Sequence, residues 1–170
     1  SESFIHIALS NINYNYYSRK ELYLSSKKVV SSHKQILYPE NFFTYRDSIQ
    51  LNDNTLKNYY TYYQFINRYL DNLADDGHKK QKTFFNKTSY EHQTQKLRLI
   101  DSLITNKQLH DNLLYNTVKR YLIHADDSKK EHDLVALFKK LDHNEVHQKE
   151  VERYAHNTAK INAGELIPNL

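Results

Sequence analysis

Apolar residues return every three or four positions along nearly the whole chain, the spacing of a helix face. The first such stretch runs from Ser1 or Ser3 to about Val30. At about 100° per residue, Ile5, Leu9, Ile12, Tyr16, Tyr23 and Val30 share one side. Ile7 and Tyr14 fall almost opposite, with Tyr17 and Leu24 on a flank. A helix that is apolar on both sides is normally buried on both. This one is therefore expected to lie at the centre of a bundle or to turn its back to a partner. Pro39 interrupts the next stretch, and Glu40 to Tyr45 suits a short helix. Asn52 or Asp53 is placed to cap a second long helix over about 54–75, which Gly77 would end. Leu56, Tyr59, Tyr63, Ile66, Leu70 and Leu73 form its core face, with Tyr62 and Tyr69 at the edge.

Four further helices follow. Thr88-Ser-Tyr-Glu91 and Ser128-Lys-Lys-Glu131 have capping-box spacing, in which a hydroxyl and a carboxylate satisfy the first free N–H groups. Asn106 and Asn144 stand where single-residue caps belong. The helices so opened carry Leu97, Ile100, Leu103 and Ile104; Leu109, Leu113, Leu114, Val118, Tyr121, Leu122 and Ala125; Leu134, Val135, Leu137, Phe138 and Leu141; and Val146, Val151, Tyr154, Ala155 and Ala159. Two glycines and two prolines in 170 residues leave little punctuation for anything but helices and short loops. The expected fold is all-α, an antiparallel bundle or short α-solenoid of about six to eight helices.

Composition sharpens this picture. Fifteen of the residues are tyrosines. Tyrosine must serve in the core here, and each buried hydroxyl then needs a partner. No apolar run approaches the roughly 20 residues that span a bilayer. The net charge of +4 is spread over Lys pairs at 27–28, 79–80, 129–130 and 139–140, most with acidic residues nearby. A nucleic-acid binder usually gathers its charge into one stripe, so no nucleic-acid partner is expected.

Candidate chemistry is sparse. A chain with no cysteine has no disulfide, no thiolate metal site and no thiol redox chemistry of its own. His143-Asn-Glu-Val-His147 offers an i, i+4 histidine pair. The zinc-protease motif, however, needs Glu directly after the first His, where Asn144 stands. His124-Ala-Asp126 closes a helix, where a cationic His suits the helix dipole. Neither a Gly-rich phosphate loop nor a Gly-x-Ser-x-Gly elbow occurs, and no catalytic residue or cofactor is expected. In Tyr59-Tyr-Thr-Tyr-Tyr-Gln-Phe65, Tyr60 and Phe65 project about 100° and 240° from the apolar centre. They are the candidate contact surface. The alternative is that neighbouring helices flank this one on both sides.

The last residues read differently. After Gly164, the apolar Leu166, Ile167 and Leu170 around Pro168 suit an extended edge segment. We expect residues 1–161 to be a helical domain and 162–170 a linker with the first strand of a following domain. The chain then reads as an excised piece.

The ordered set of segments resembles the helical region that precedes the thioredoxin-like domain in Bacteroidetes thiol-disulfide oxidoreductases of the TlpA/ResA type. The resemblance rests on Ser1-Glu-Ser-Phe-Ile-His-Ile7 followed by Tyr38-Pro39, on Leu51-Asn-Asp53 leading to Tyr62-Tyr-Gln-Phe-Ile-Asn-Arg-Tyr-Leu70, and on Asp111-Asn-Leu-Leu-Tyr115 through Tyr121-Leu-Ile-His-Ala-Asp126. The tail Ala163-Gly-Glu-Leu-Ile-Pro-Asn-Leu170 resembles the entry strand of such thioredoxin domains. In that family the chemistry belongs to a Cys-x-x-Cys motif farther along, whose first thiolate is activated at a helix N-terminus. The resemblance implies a periplasm-facing, lipid-anchored protein of the cell envelope. This chain would be its accessory domain, with the thioredoxin-like domain of the same polypeptide and protein redox clients as partners. The alternative is a free-standing helical module that binds a protein or ligand.

Overall fold

The computed structural model describes residues 2–30, 37–78, 86–125 and 127–162. Among the described residues six α-helices carry the fold: α1 (Glu2–Val30), α2 (Tyr60–His78), α3 (Tyr90–Leu103), α4 (Lys107–His124), α5 (Ser128–Leu141) and α6 (Glu145–Asn162). A 3-10 helix spans Thr44–Ser48, and the described residues contain no strand. The expected all-α fold is what the chain adopts. Leu166, Ile167, Pro168 and Leu170, read above as a strand remnant, lie outside the described residues.

Packing follows chain order. α1 lies on α2, α2 on α3, α3 on α4 and α5, and α4 on α5 and α6, which also touch each other. The links 104–106, 125–127 and 142–144 are three residues each. Each ends in the N-cap of the next helix: Asn106, Asp127 and Asn144. Asn106 accepts from the Leu109 N–H at 3.1 Å, and Asn144 from that of Val146 at 3.0 Å. The links leave their helices through extended residues, with Ile104 at φ −103°, ψ 106° and Ala125 at φ −76°, ψ 144°. Such exits need no glycine. This is how the chain turns so often with so few.

Two caps differ by one residue from the expected boxes. Ser89, not Thr88, caps α3, accepting from the His92 N–H. Thr88 belongs to the turn before the helix: its N–H and hydroxyl both donate to Asn86. Asp127, not Ser128, caps α5, taking the N–H groups of Lys129 and Lys130 at 3.0 and 3.1 Å. A carboxylate there also meets the positive end of the helix dipole. α2 begins at Tyr60 rather than near 54. Asp53 closes a turn instead, accepting from the Thr55 N–H and hydroxyl, and Asn52 reaches across to the α3–α4 link. Leu56 is buried all the same, from this turn.

The core centres on α4. Leu109, Leu113, Leu114, Val118 and Leu122 are buried and meet Leu97, Ile100, Leu134, Phe138 and Val151 of the surrounding helices. Full burial of each such side chain is worth about 1.5–3 kcal/mol.

Candidate interaction surface on the first helix

α1 uses its two sides in opposite ways. Its inner side meets α2 through Tyr14, Ser18, Glu21, Leu24 and Ser25, all buried. This seam is largely polar. Glu21 accepts from Arg46 Nε at 2.9 Å and Nη2 at 2.8 Å, from Asn72 Nδ2 at 2.6 Å and from the Tyr45 hydroxyl. Burial and the adjacent carboxylate push the Tyr45 hydroxyl well above its ordinary pKa. Ser25 donates to Asn72 Oδ1 at 3.0 Å, and Arg68 donates to Ser18 Oγ at 2.8 Å. Tyr14 lies edge-on to Tyr62, and Tyr17 stacks on Tyr45.

The outer side is apolar and open. Phe4, Ile5, Leu9, Ile12, Tyr16 and Tyr23 are between 45% and 70% exposed. From Ile5 to Tyr16 they recur at alternating steps of four and three residues, as in a helix-packing seam. Single exposed apolar residues are ordinary, but a continuous stripe marks a contact surface.

Toward the C-terminal half of α1 this stripe runs into an aromatic cleft of about 450 Å³. Tyr16 and Tyr23 form one wall, and Leu37, Tyr38, Pro39 and Phe42 the other. Tyr38 and Phe42 pack with ring centres 5.0 Å apart, and Phe42 lies 6.0 Å from Tyr23. The Lys20 ammonium sits among the rings, 4.7 Å from the centre of Phe42, 4.6 Å from Tyr45 and 5.3 Å from Tyr16.

The two aromatic positions singled out on α2 part company. Tyr60 is 72% exposed at the helix start, and its hydroxyl accepts from Gln64. It neighbours Thr61, which bonds Asn11 of α1. Phe65 is fully buried and is not a contact surface. The reason is that α2 is sandwiched: α1 covers the Phe65 side and α3 the opposite one. Tyr14, Tyr17 and Tyr69 surround the Phe65 ring at 5.2, 6.1 and 5.8 Å.

Two other polar groupings are accounted for by the fold. Between α2 and α3, Asp71 pairs with Lys96 at 2.6 Å and meets His92 Nε2 at 3.4 Å, all three buried. Burial pushes the Asp71 carboxyl up, but Lys96, His92 and Lys87 outweigh it and hold the group below the usual carboxylate range. Burial, helped by the nearby Arg120 and Lys87, draws the Lys96 ammonium down, and Asp71 opposes that. At 2.6 Å this is an ion pair that locks two helices. A polar cleft of about 640 Å³ lies beside the α3–α4 link. Its amides are committed: Asn52 accepts from the Thr105 N–H at 2.7 Å, Asn106 bonds Asn54, and Gln108 donates to Asn58.

The histidines are dispersed. His147 stacks on Tyr115 at 4.7 Å with Nδ1 3.0 Å from Asp142, while His143 stands exposed in the preceding link. His124 ends α4, and Asp126 lies outside the described residues. Among the described residues no three potential metal ligands converge, and no helix is long and apolar enough to cross a membrane.

Sequence reasoning found the stripe but not the cleft or the buried pair. Tyr16, Lys20 and Tyr23 do stand at i, i+4 and i+7, a legible sign of a cation between rings. The other wall comes from an irregular segment that carries no periodicity. The chain matches no protein-family model, and neither a curated protein nor a solved structure shows significant similarity to it.

Proposed function

We propose that this chain is a non-catalytic helical accessory domain of an envelope thiol-disulfide oxidoreductase of the TlpA/ResA type. In this reading the outer face of α1 docks on the thioredoxin-like domain of the same polypeptide and thereby positions it or selects its clients. The protein would face the periplasm from a lipid anchor. The resemblance of the ordered segments supports the partner. The observation that carries a docking role is the open apolar stripe of α1 from Phe4 to Ile12. Any thiol chemistry must come from outside these 170 residues, because they hold no cysteine.

The test has two arms. The reading frame should continue beyond Leu170 into a Cys-x-x-Cys motif. In the full-length protein, hydroxyl-radical footprinting should protect Ile5, Leu9 and Ile12 relative to the 170-residue chain. A frame without that motif, or equal labelling of the stripe in both proteins, would overturn the reading. The cationic aromatic cleft favours a second reading, a module that binds a separate protein, and that reading would survive the first failure.

A further inference from the structure

We propose that the cleft formed by Tyr16, Lys20, Tyr23, Tyr38 and Phe42 is a binding groove for an extended acidic peptide, one with a carboxylate beside an aromatic or proline side chain. The proposal rests on the cleft alone and does not require the oxidoreductase reading.

Lys20 carries the argument. The residue is half-buried and its ammonium lies over three rings, yet among the described residues no carboxylate or other acceptor engages it. A ring face attracts a cation but takes none of its N–H groups as a carboxylate does. The cation is thus already partly dehydrated and held in place with its donors unspent. A carboxylate arriving there gains a charge-assisted bond without having to order the lysine. Two further cations stand at the cleft, with the exposed Glu40 between the lining residues Pro39 and Asn41 as the nearest opposite charge in sequence. Arg19 lines the cleft, and Lys27 lies over Tyr23 at 5.3 Å. No acidic residue is among the lining residues. Beside the charge, Leu37 is 87% exposed, an apolar lip for the neighbouring side chain of the peptide.

Two other anionic partners fit less well. Single-stranded nucleic acid is held by bases stacking on open ring faces. Here Lys20 occupies the faces of Tyr16 and Phe42, and Lys27 that of Tyr23. An anionic membrane surface is met by lysines reaching outward from a convex helix face. Lys20 is instead recessed in a concavity. The volume of the cleft admits a few side chains and suits a segment in extended conformation.

The experiment uses fluorescence anisotropy with the 170-residue chain and three short labelled peptides. One alternates Glu with Phe and Pro, one replaces each Glu by Lys, and one keeps Glu but replaces Phe and Pro by Ser. Binding of the first, at least about tenfold tighter than of either other, is expected. It should weaken with added salt. Lys20→Gln should cost about tenfold, and Lys149→Gln, a distant exposed lysine, nothing. Equal affinity for the three peptides overturns the proposal without recourse to any variant. So does failure of the first peptide to bind, or unchanged affinity in a folded Lys20→Gln protein. Tighter binding of oligo(dT) or of phosphatidylglycerol vesicles than of the acidic peptide, lost in Lys20→Gln, would assign the cleft to nucleic acid or membrane instead.

Discussion

α1 and α4 look alike as sequences and differ as parts of the structure. Both carry apolar residues around most of their circumference. α4 is wrapped by α3, α5 and α6, and its leucines and Val118 are buried. α1 lies mainly on α2, through a seam of Tyr, Ser and Glu, and its Ile5, Leu9 and Ile12 face outward. The rule that an all-round apolar helix is buried all round holds for α4 within the chain, except at Ile123 near its end. For α1 it holds only if something else covers the outer face. The contrast separates two kinds of helix adhesion: α4 is held by apolar packing, α1 by hydrogen bonds and an ion pair.

The sharpest way to break that contrast is at Glu21. Glu21→Ala leaves Arg46, Tyr45 and Asn72 facing a void in a buried seam. Removing one member of a buried pair typically costs about 3–5 kcal/mol. Urea denaturation of the variant should show a loss of that size, with α1 amides losing exchange protection first. A loss under about 1 kcal/mol would mean that α1 is held by its rings and not by its polar seam. The counterpart in α4 is Leu113→Ala, with an expected cost of about 2–5 kcal/mol from lost burial and the cavity left behind. Here protection should fall across α3, α5 and α6 together.

Acid provides a third handle, at the α2–α3 contact. Asp71 has a native pKa below its unfolded value, because Lys96, His92 and Lys87 outweigh its burial. A depressed carboxyl contributes stability that is complete above the unfolded value of about 3.9 and drains away as pH falls below it. Asp71→Asn removes this dependence and leaves Lys96 buried without its counter-ion. The variant should be less stable at neutral pH, and its gap from the parent should narrow as the pH falls below about 4. A gap that stays constant across that range would show that ionisation of Asp71 does not contribute to stability.

How far the sequence reached can be judged helix by helix. The helical run of α1, the caps Asn106 and Asn144 and the leucines of α4 were legible, because periodicity and cap chemistry are local. The caps of α3 and α5 were missed by one residue, since Thr88 beside Ser89 and Asp127 beside Ser128 are pairs of good cap residues that local spacing does not rank. The start of α2 was missed because Asn52 spends its amide on the α3–α4 link, a contact no local pattern encodes. Phe65 was misplaced for the same kind of reason: an angle from the apolar centre cannot count the neighbours of a helix. The cleft needed residues 37–42 brought against α1, which is tertiary information. A fourth prediction draws on this. Asp127→Ala should cost about 1 kcal/mol and Ser128→Ala almost nothing, reversing the order that the capping-box pattern implies. Equal losses in thermal melts would restore the box.

The smallest expected effect is the most informative for the outer face of α1. Ile5, Leu9 and Ile12 are 57%, 55% and 66% exposed, and Tyr60 is 72% exposed. Replacing any one of them with Ser should change the stability of the 170-residue chain by no more than about 0.5 kcal/mol. The same kind of truncation at Leu113 should be several times as costly. Serine does lower helix propensity, by a few tenths of a kcal/mol relative to isoleucine or leucine at most, so the test keeps its resolution. If the Ile12→Ser chain melts like its parent, the methyl groups of α1 contribute nothing within this chain, and their spacing needs an outside explanation. If it loses about 2 kcal/mol, the size of a well-buried side chain, then α1 is covered in solution. Sedimentation would then show whether the cover is a second copy, with Ile12→Ser shifting a dimer to monomer, or an intramolecular contact that leaves the mass unchanged.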